Sequence, residues 1–563
     1  MIGNIRYVIY FCLTLLSAGG LAQDLANIGK ENPLNFSGNV GLSLNTYSTT
    51  REAPSRDPFF WTVSGSPTLT VYGITMPFNF VLSQKQQSFR QPFNRFGVSP
   101  HYKWLQLHLG YRSMNFSKYS LNGHSFSGVG AEAKPGNFRF GLMHGRLLKA
   151  IPYDSLADFP IQPTYKRKGF SAKAGYGTTS NYVDLVLFRG WDDQYSIERP
   201  LDSAMVNPQD NLVLAIKSKQ RIFKRLSLDV DFGISGWTSN LYARGIPRED
   251  IPLPGLTNNL LKVNYSTQVL KAGMASLAYT FRVLSLTAKY ERIDPDYKTM
   301  GAYYFNTDME NFTISPGWSM LKNKLRVNTS IGIQKNNLFE DKINQTKRRI
   351  NSFRVNYAPM QKLNVSSSFT NYQTRQIRYD YLKRDVLDSM MLEQYARNFS
   401  VGVNYNFGDK VQRYTLSLNN AIQSFAQEGF YSFVGANDSR SISPSLSFRL
   451  NNREKKISVN TSINVNDFRN AMTNAFNWGI NAGINKKITG DKWSLSGNTG
   501  FYRTKLNGEP GGNTIRMRTS VHFIPAEKHT LGLNLNLLLR KSFNTRVKGF
   551  MEFMTTVNYN YRF

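Results

Sequence analysis

The side chains best suited to acid–base chemistry at neutral pH are six histidines: His101, His108, His124, His144, His522 and His529. None belongs to a His-Glu-x-x-His pattern, and no serine, acid and histidine follow the spacing of a nucleophilic triad. His108 and His144 fall in alternating stretches and are expected to point inward as polar lining. The close acid sets Asp192-Asp193 and Asp294-Pro295-Asp296 offer oxygens to a hard cation. A full calcium site takes about six to eight oxygens, and no EF-hand or Gly-Asp repeat frames these acids. They read as solvated loop charge. The single cysteine, Cys12, leaves no disulfide, thiolate metal site or catalytic thiol beyond the N-terminal segment. No Gly-rich phosphate loop or Cys/His zinc pattern appears. No catalytic, metal-binding or cofactor-binding residue is assigned, and the chain is not expected to be an enzyme.

The elements that carry these residues are strands. Leu105, Leu107, Leu109 and Tyr111 alternate with Gln106, His108, Gly110 and Arg112. Ile457 to Val465, Phe476 to Ile484 and Leu531 to Leu539 repeat the pattern, with Asn, Ser and Gly in between. Alternation places the two sets on opposite faces of a sheet. The runs are about ten to fourteen residues long, whereas a soluble strand averages about five or six and a tilted bilayer-crossing strand needs roughly nine to eleven. Scarce charge (19%) and abundant aromatics (13%) agree with strands.

About 26 strands are expected, within a range of 22–26. Short polar turns such as Lys134-Pro135-Gly136-Asn137 and Gly408-Asp409-Lys410 alternate with longer loops at 149–166, 192–210, 238–267 and 375–395. The expected fold is all-β, a single large antiparallel transmembrane β-barrel with short periplasmic turns and long extracellular loops. Residues 1–22 read as a signal peptide with a charged start at Arg6, a short apolar run and a Gly20-Leu21-Ala22 cleavage site. Residues 23–34 then form a short periplasmic segment, and 35–563 the barrel.

The net charge is +32, which would normally raise nucleic acid as a partner. The basic residues are scattered and the chain is exported, so nucleic acid is not expected. Acids concentrate in the predicted outer loops. Bases concentrate at the turns, as in Lys217, Lys219, Arg221, Lys224 and Arg225, or Lys455 and Lys456. A basic rim can pair with lipid phosphates or dock an acidic periplasmic partner.

The pattern as a whole resembles the Gram-negative outer-membrane β-barrel superfamily. The ending "TTVNYNYRF" is its specific element. Tyr559, Tyr561 and Phe563 are similar to the C-terminal signal that the barrel assembly machinery reads in that superfamily. These residues are expected to face lipid, and the last strand to pair with the strand at 529–541 and with the first, near 35–48. The Gln after the cleavage site resembles outer-membrane proteins of Bacteroidota. So do the triplets Asp154-Ser155-Leu156, Asp202-Ser203-Ala204 and Asp388-Ser389-Met390, which resemble O-glycan acceptors there and make Ser155, Ser203 and Ser389 the candidate modified residues.

For about 26 strands, a circular barrel has a diameter on the order of 50 Å. Such a lumen has to be narrowed. The loop at 238–267, stiffened by Pro247, Pro252, Pro254 and Gly255, is the first candidate. The expected function is a channel for polar solutes in the outer membrane. The alternative is a non-conducting structural or secretion-associated subunit that docks a periplasmic or surface protein.

Overall fold

The computed structural model describes residues 34–52, 54, 56–84, 95–153, 162–198, 206–247, 260–304, 306–379, 391–429, 438–543 and 548–563. These form one closed barrel of 26 antiparallel strands and no helix. Three of the early strands are each broken once. The first breaks at Gly38, between Leu34–Ser37 and Asn39–Thr49. The second breaks at Ser66-Pro67 and the fourth at Ser99-Pro100, where proline supplies no ladder N–H. The fourth strand therefore runs over 95–102 with one interruption.

Every strand pairs with its neighbours in sequence, and the ends meet. Asn39–Thr49 runs antiparallel to Phe550–Arg562, from Asn39 opposite Arg562 to Thr49 opposite Glu552. The last strand also pairs with His529–Ser542. Both expected pairings of the C-terminal strand hold. Full closure satisfies the backbone N–H and C=O groups that a sheet edge would leave bare in lipid.

The outward face presents exposed apolar side chains, among them Leu107, Leu142, Leu185, Leu277, Ile331, Leu418, Ile480 and Val557. An apolar belt around a closed sheet has no counterpart in a soluble fold and matches a bilayer exterior. Aromatic pairs gather outward at the short-turn rim: Trp493 with Phe523, Phe407 with Tyr414, and Tyr561 with Phe563. This is the girdle expected at a membrane interface.

All connections on that rim span two to five residues. In the tightest of them, Tyr72-Gly73 takes φ of +46° and +81°, the hairpin geometry that matches strand twist. The opposite rim carries the long connections but is not uniformly long. Residues 471–473 and 507–508 are also tight turns. Strands from 344 to 429 are taller than expected, 16 to 18 residues each. At about 3.3 Å per residue and 40° of tilt, 18 residues rise about 45 Å, beyond a hydrocarbon core of about 30 Å. Outward Arg375, Glu393 and Arg397 mark the part that leaves the apolar belt.

Candidate functional site

The inner face of the barrel is the candidate functional surface, and cross-strand register assigns residues to it. Gly130 opposes His108, Met143 opposes Gly130, and Ser171 opposes Met143; the same parity continues through Phe188, Val213 and Ser235. Between 122 and 238 this inner wall is unusually apolar. Phe126, Met143, Val186, Phe188, Val213 and Trp237 are all buried there. Apolar inner residues in a wet lumen would be unfavourable, so something covers them.

The cover is made by two connections of the long-loop rim folded inward, 116–121 and 294–301. Phe116, Leu121 and Met300 join the wall residues in one core. Tyr119 and Tyr297 join Leu270, Ala272 and Ile293 in a second. The two segments bind each other. The Tyr297 hydroxyl donates to the Tyr119 carbonyl (2.5 Å) and Thr299 Oγ1 to the Ser120 carbonyl (3.0 Å). They also bind the wall. Asn211 Oδ1 accepts the Met300 N–H (3.0 Å), and Ser235 Oγ donates to the Lys298 carbonyl (2.7 Å).

Glycines in the wall make room for this plug. A Cβ on Gly141 would lie 2.6 Å from the Phe116 ring, one on Gly190 would lie 2.7 Å from Met300 Cβ, and one on Gly233 would lie 3.0 Å from Tyr119 Cβ. Each is a socket for a plug side chain.

Beneath the plug lies a layer of paired charge. Asp231 accepts from Ser117 Oγ (2.5 Å) and the Lys118 N–H (2.9 Å). Glu291 accepts from Lys118, from Lys289 Nζ (2.7 Å) and from the Tyr119 hydroxyl (2.8 Å). Arg139 grips Asp184 with two bonds, and Lys173 reaches Glu132. Burial and the Glu291 carboxylate push the Tyr119 phenol well above its ordinary range, and burial does the same for Tyr297. Both stay protonated donors at any physiological pH.

The other half of the inner wall, strands 309–562 and the first strand, is polar, and almost none of it joins the two buried cores of the described residues. Asn460, Ser462 and Asn464 oppose Gly483, Asn481 and Gly479; Asn498 and Gly500 oppose Arg518 and Arg516. Within it, Arg51, Arg56, Arg516 and Arg518 converge on a cleft of about 740 Å³.

The histidines do not converge. His108 faces inward as expected, with Nδ1 3.0 Å from Ser99 Oγ and Nε2 3.6 Å from Glu132. His144 does not: it shares the outward parity of Phe138, Phe140 and Leu142 and is exposed. A single-residue count from the strand start decides this, and Phe138 sets the outward face. His124 is buried against Tyr303, and His529 sits 2.8 Å from the Tyr559 hydroxyl. Asp192 is taken up by two bonds from Arg167, Asp193 by Lys168, and Asp294 by the Lys271 N–H. Among the described residues no group of three or more acids, histidines or cysteines is placed to hold a metal ion. Lys217 and Lys219 are not on the rim. They line the inner wall opposite Asp231 and Asp229.

Tyr559, Tyr561 and Phe563 lie where the ending placed them, in the seam. Ser155, Ser203 and Ser389 lie outside the described residues, as does residues 1–33. The proline-rich centre of the 238–267 loop also lies outside them; its flanks return to the wall through Lys262 N–H to Asp210 and Leu241 N–H to the Pro208 carbonyl. The described plug segments, 116–121 and 294–301, were not selected from sequence. Their signal was the lost alternation in their docking wall, as in Leu185-Val186-Leu187-Phe188 and Leu212-Val213-Leu214-Ala215-Ile216. Such runs read as strands buried on both faces.

No family model and no curated protein matches this chain. Among solved structures it is similar to the P pilus usher (PapC) translocation pore, at 11% identity over 94% of this chain and 99% of that one, TM-score 0.39. It is also similar to OccAB2 of Acinetobacter baumannii, at 9% identity over 94% and 98%, TM-score 0.32. A third likeness is to the copper transporter OprC, at 8% identity over 94% and 82%, TM-score 0.41.

Proposed function

We propose that this chain is an outer-membrane channel for polar solutes, narrowed on one side by its own inward-folded segments. The observation that carries this reading is the asymmetry of the lumen. Strands between 122 and 293 bury apolar inner residues under 116–121 and 294–301, while the inner face of the wall from 309 to 562 is of Asn, Ser, Thr and Arg, with no such core among the described residues. A polar face held open around a closed barrel favours water and dissolved solute. Partners of the outer surface are then membrane lipid and, during biogenesis, the barrel assembly machinery reading Tyr559, Tyr561 and Phe563.

Conductance in a planar bilayer tests the reading. The full chain is expected to give discrete openings, larger when 240–262 is deleted or when Tyr297→Ala loosens the plug. No conductance from any of the three overturns it. A second reading is a non-conducting subunit that docks a protein, and the tall strands from 344 to 429 favour it by raising a wall beyond the bilayer. A stoichiometric partner in pull-downs from detergent-solubilised membranes, with no conductance, selects that second reading.

A further inference from the structure

We propose that the polar half of the lumen is an anion path, with a binding station for carboxylate- or phosphate-bearing solutes built by Arg51, Arg56, Arg516 and Arg518. This rests on, and deepens, the channel reading above.

Charge on the inner wall is divided unevenly. Where the plug docks, acids and bases match: Glu132 with Lys173, Asp184 with Arg139, Glu291 with Lys289. From 309 onward the inner parity carries Arg326, Arg354, Arg413 and Arg449, and register places each in line with Asn, Ser or Thr. Among the described residues the carboxylates on that parity are Glu552, which Arg51 holds at 2.8 Å, and Glu509, opposite Leu506 beside the 507–508 turn.

The four guanidiniums of the cleft are oriented mostly by neutral groups. Arg518 Nε donates to Asn536 Oδ1 (2.9 Å). Arg516 lies 5.3 Å from the Tyr502 ring centroid, and Arg56 contacts Met554 Sδ (3.3 Å). An amide, a ring face and a thioether fix direction without cancelling charge. Arg516 and Arg518 are two residues apart on one strand, so both point into the same space. Like charges held together this way repel, and among the described residues only Arg51 of the four gains an ion pair in return, with Glu552. The arrangement makes sense with a visiting anion. A planar guanidinium fork pairs with two oxygens of a carboxylate or phosphate, which a lysine cannot do. Neighbouring Asn481 and Asn498 add amide donors to the same cleft.

The test has two independent arms on the full-length barrel, with citrate and inorganic phosphate as probes. In detergent at low salt, isothermal titration is expected to show saturable citrate binding. Arg516→Ala/Arg518→Ala is expected to weaken it about 10- to 100-fold, the loss of hydrogen bonds to a charged group. Arg516→Lys/Arg518→Lys keeps the charge and the fold; it is expected to weaken binding while preserving ion preference. In a bilayer under a KCl gradient, the reversal potential of the native chain is expected to favour chloride. Arg516→Glu/Arg518→Glu is expected to move it toward potassium. Conductance without chloride preference and without citrate binding overturns the anion site and leaves the channel standing. Citrate binding that depends on these arginines in a chain that never conducts overturns the channel and leaves the anion site standing. Binding that both double variants leave unchanged overturns the site.

Discussion

The main-chain N–H of Phe563 donates to the carbonyl oxygen of Gly38 at 3.1 Å. The last residue of the chain is thereby tied to the break in the first strand, and its ring lies 4.3 Å from that of Phe36 on the outward side. Gly38 has φ +123°, and a Cβ there would lie 2.4 Å from the Ser66 carbonyl, so the break needs glycine. The terminal aromatic is part of the seam that closes the barrel.

Removing that ring should loosen the seam. Phe563→Ala and Phe36→Ala are each expected to lose about 0.5–1.5 kcal/mol beyond area burial, and the double variant less than their sum. Urea unfolding, read as loss of heat-modifiable mobility on a gel, checks this. If refolding in vitro is normal while Phe563→Ala fails to reach the membrane in cells, the recognition role of Tyr559, Tyr561 and Phe563 dominates over the seam.

The plug should be separable from the barrel. Gly190→Val fills the socket of Met300, and overpacking of this kind typically costs about 1–3 kcal/mol. Tyr297→Phe keeps the ring and removes the bond to the Tyr119 carbonyl, about 1 kcal/mol. Hydrogen exchange across 116–121 and 294–301 is expected to rise strongly in the first variant and slightly in the second, with the strands unchanged.

One outer clasp should respond to pH at both extremes. Lys342 Nζ donates to Asp308 (2.5 Å), and Asn337 exchanges two hydrogen bonds with Lys342 across the 336–343 turn. Burial alone would raise the Asp308 carboxyl. Bonds from Lys342 and from the Leu338 and Asn337 main chain outweigh it and hold the group below its ordinary value. The bond to Asp308 raises Lys342. The acid's contribution is therefore complete above about pH 3.9 and is lost as pH falls through its lower folded value. The lysine's is complete below about pH 10.4 and is lost as pH rises through its higher folded value. Protection of the 336–343 amides, relative to their intrinsic exchange rate at each pH, is expected to be flat across neutral pH and to fall at either end. Asp308→Asn is expected to abolish the acid limb.

Ser155, Ser203 and Ser389 are expected to carry glycans when the protein comes from its native membrane. Mass spectrometry of intact loop peptides with unshifted masses at all three sites removes the idea.

Much of the architecture was legible because it rests on a local period. Leu531 to Leu539 and Val557 to Phe563 each announce which face meets lipid, and the tightness of turns such as 134–137 orders the rims. The plug was not legible in the same way. Phe116 meets Gly141 and Met300 meets Gly190, contacts between residues far apart in sequence. The inner apolar runs at 185–188 and 212–216 signalled a covered wall but not what covers it. His144 shows how fragile parity is: counting from an uncertain boundary by one residue sends a side chain to the other face.

The strand period, a strand number within 22–26 and the pairing of the last strand with the first were all readable along the chain, because each follows from side-chain alternation and from the need to pair every edge in lipid. Tertiary structure alone decided that 116–121 and 294–301 fill one side of the lumen, and that four arginines from two ends of the chain share one cleft on the other. Those arrangements arise from packing and charge across the barrel, where neighbours in space are set by closure and not by order along the chain.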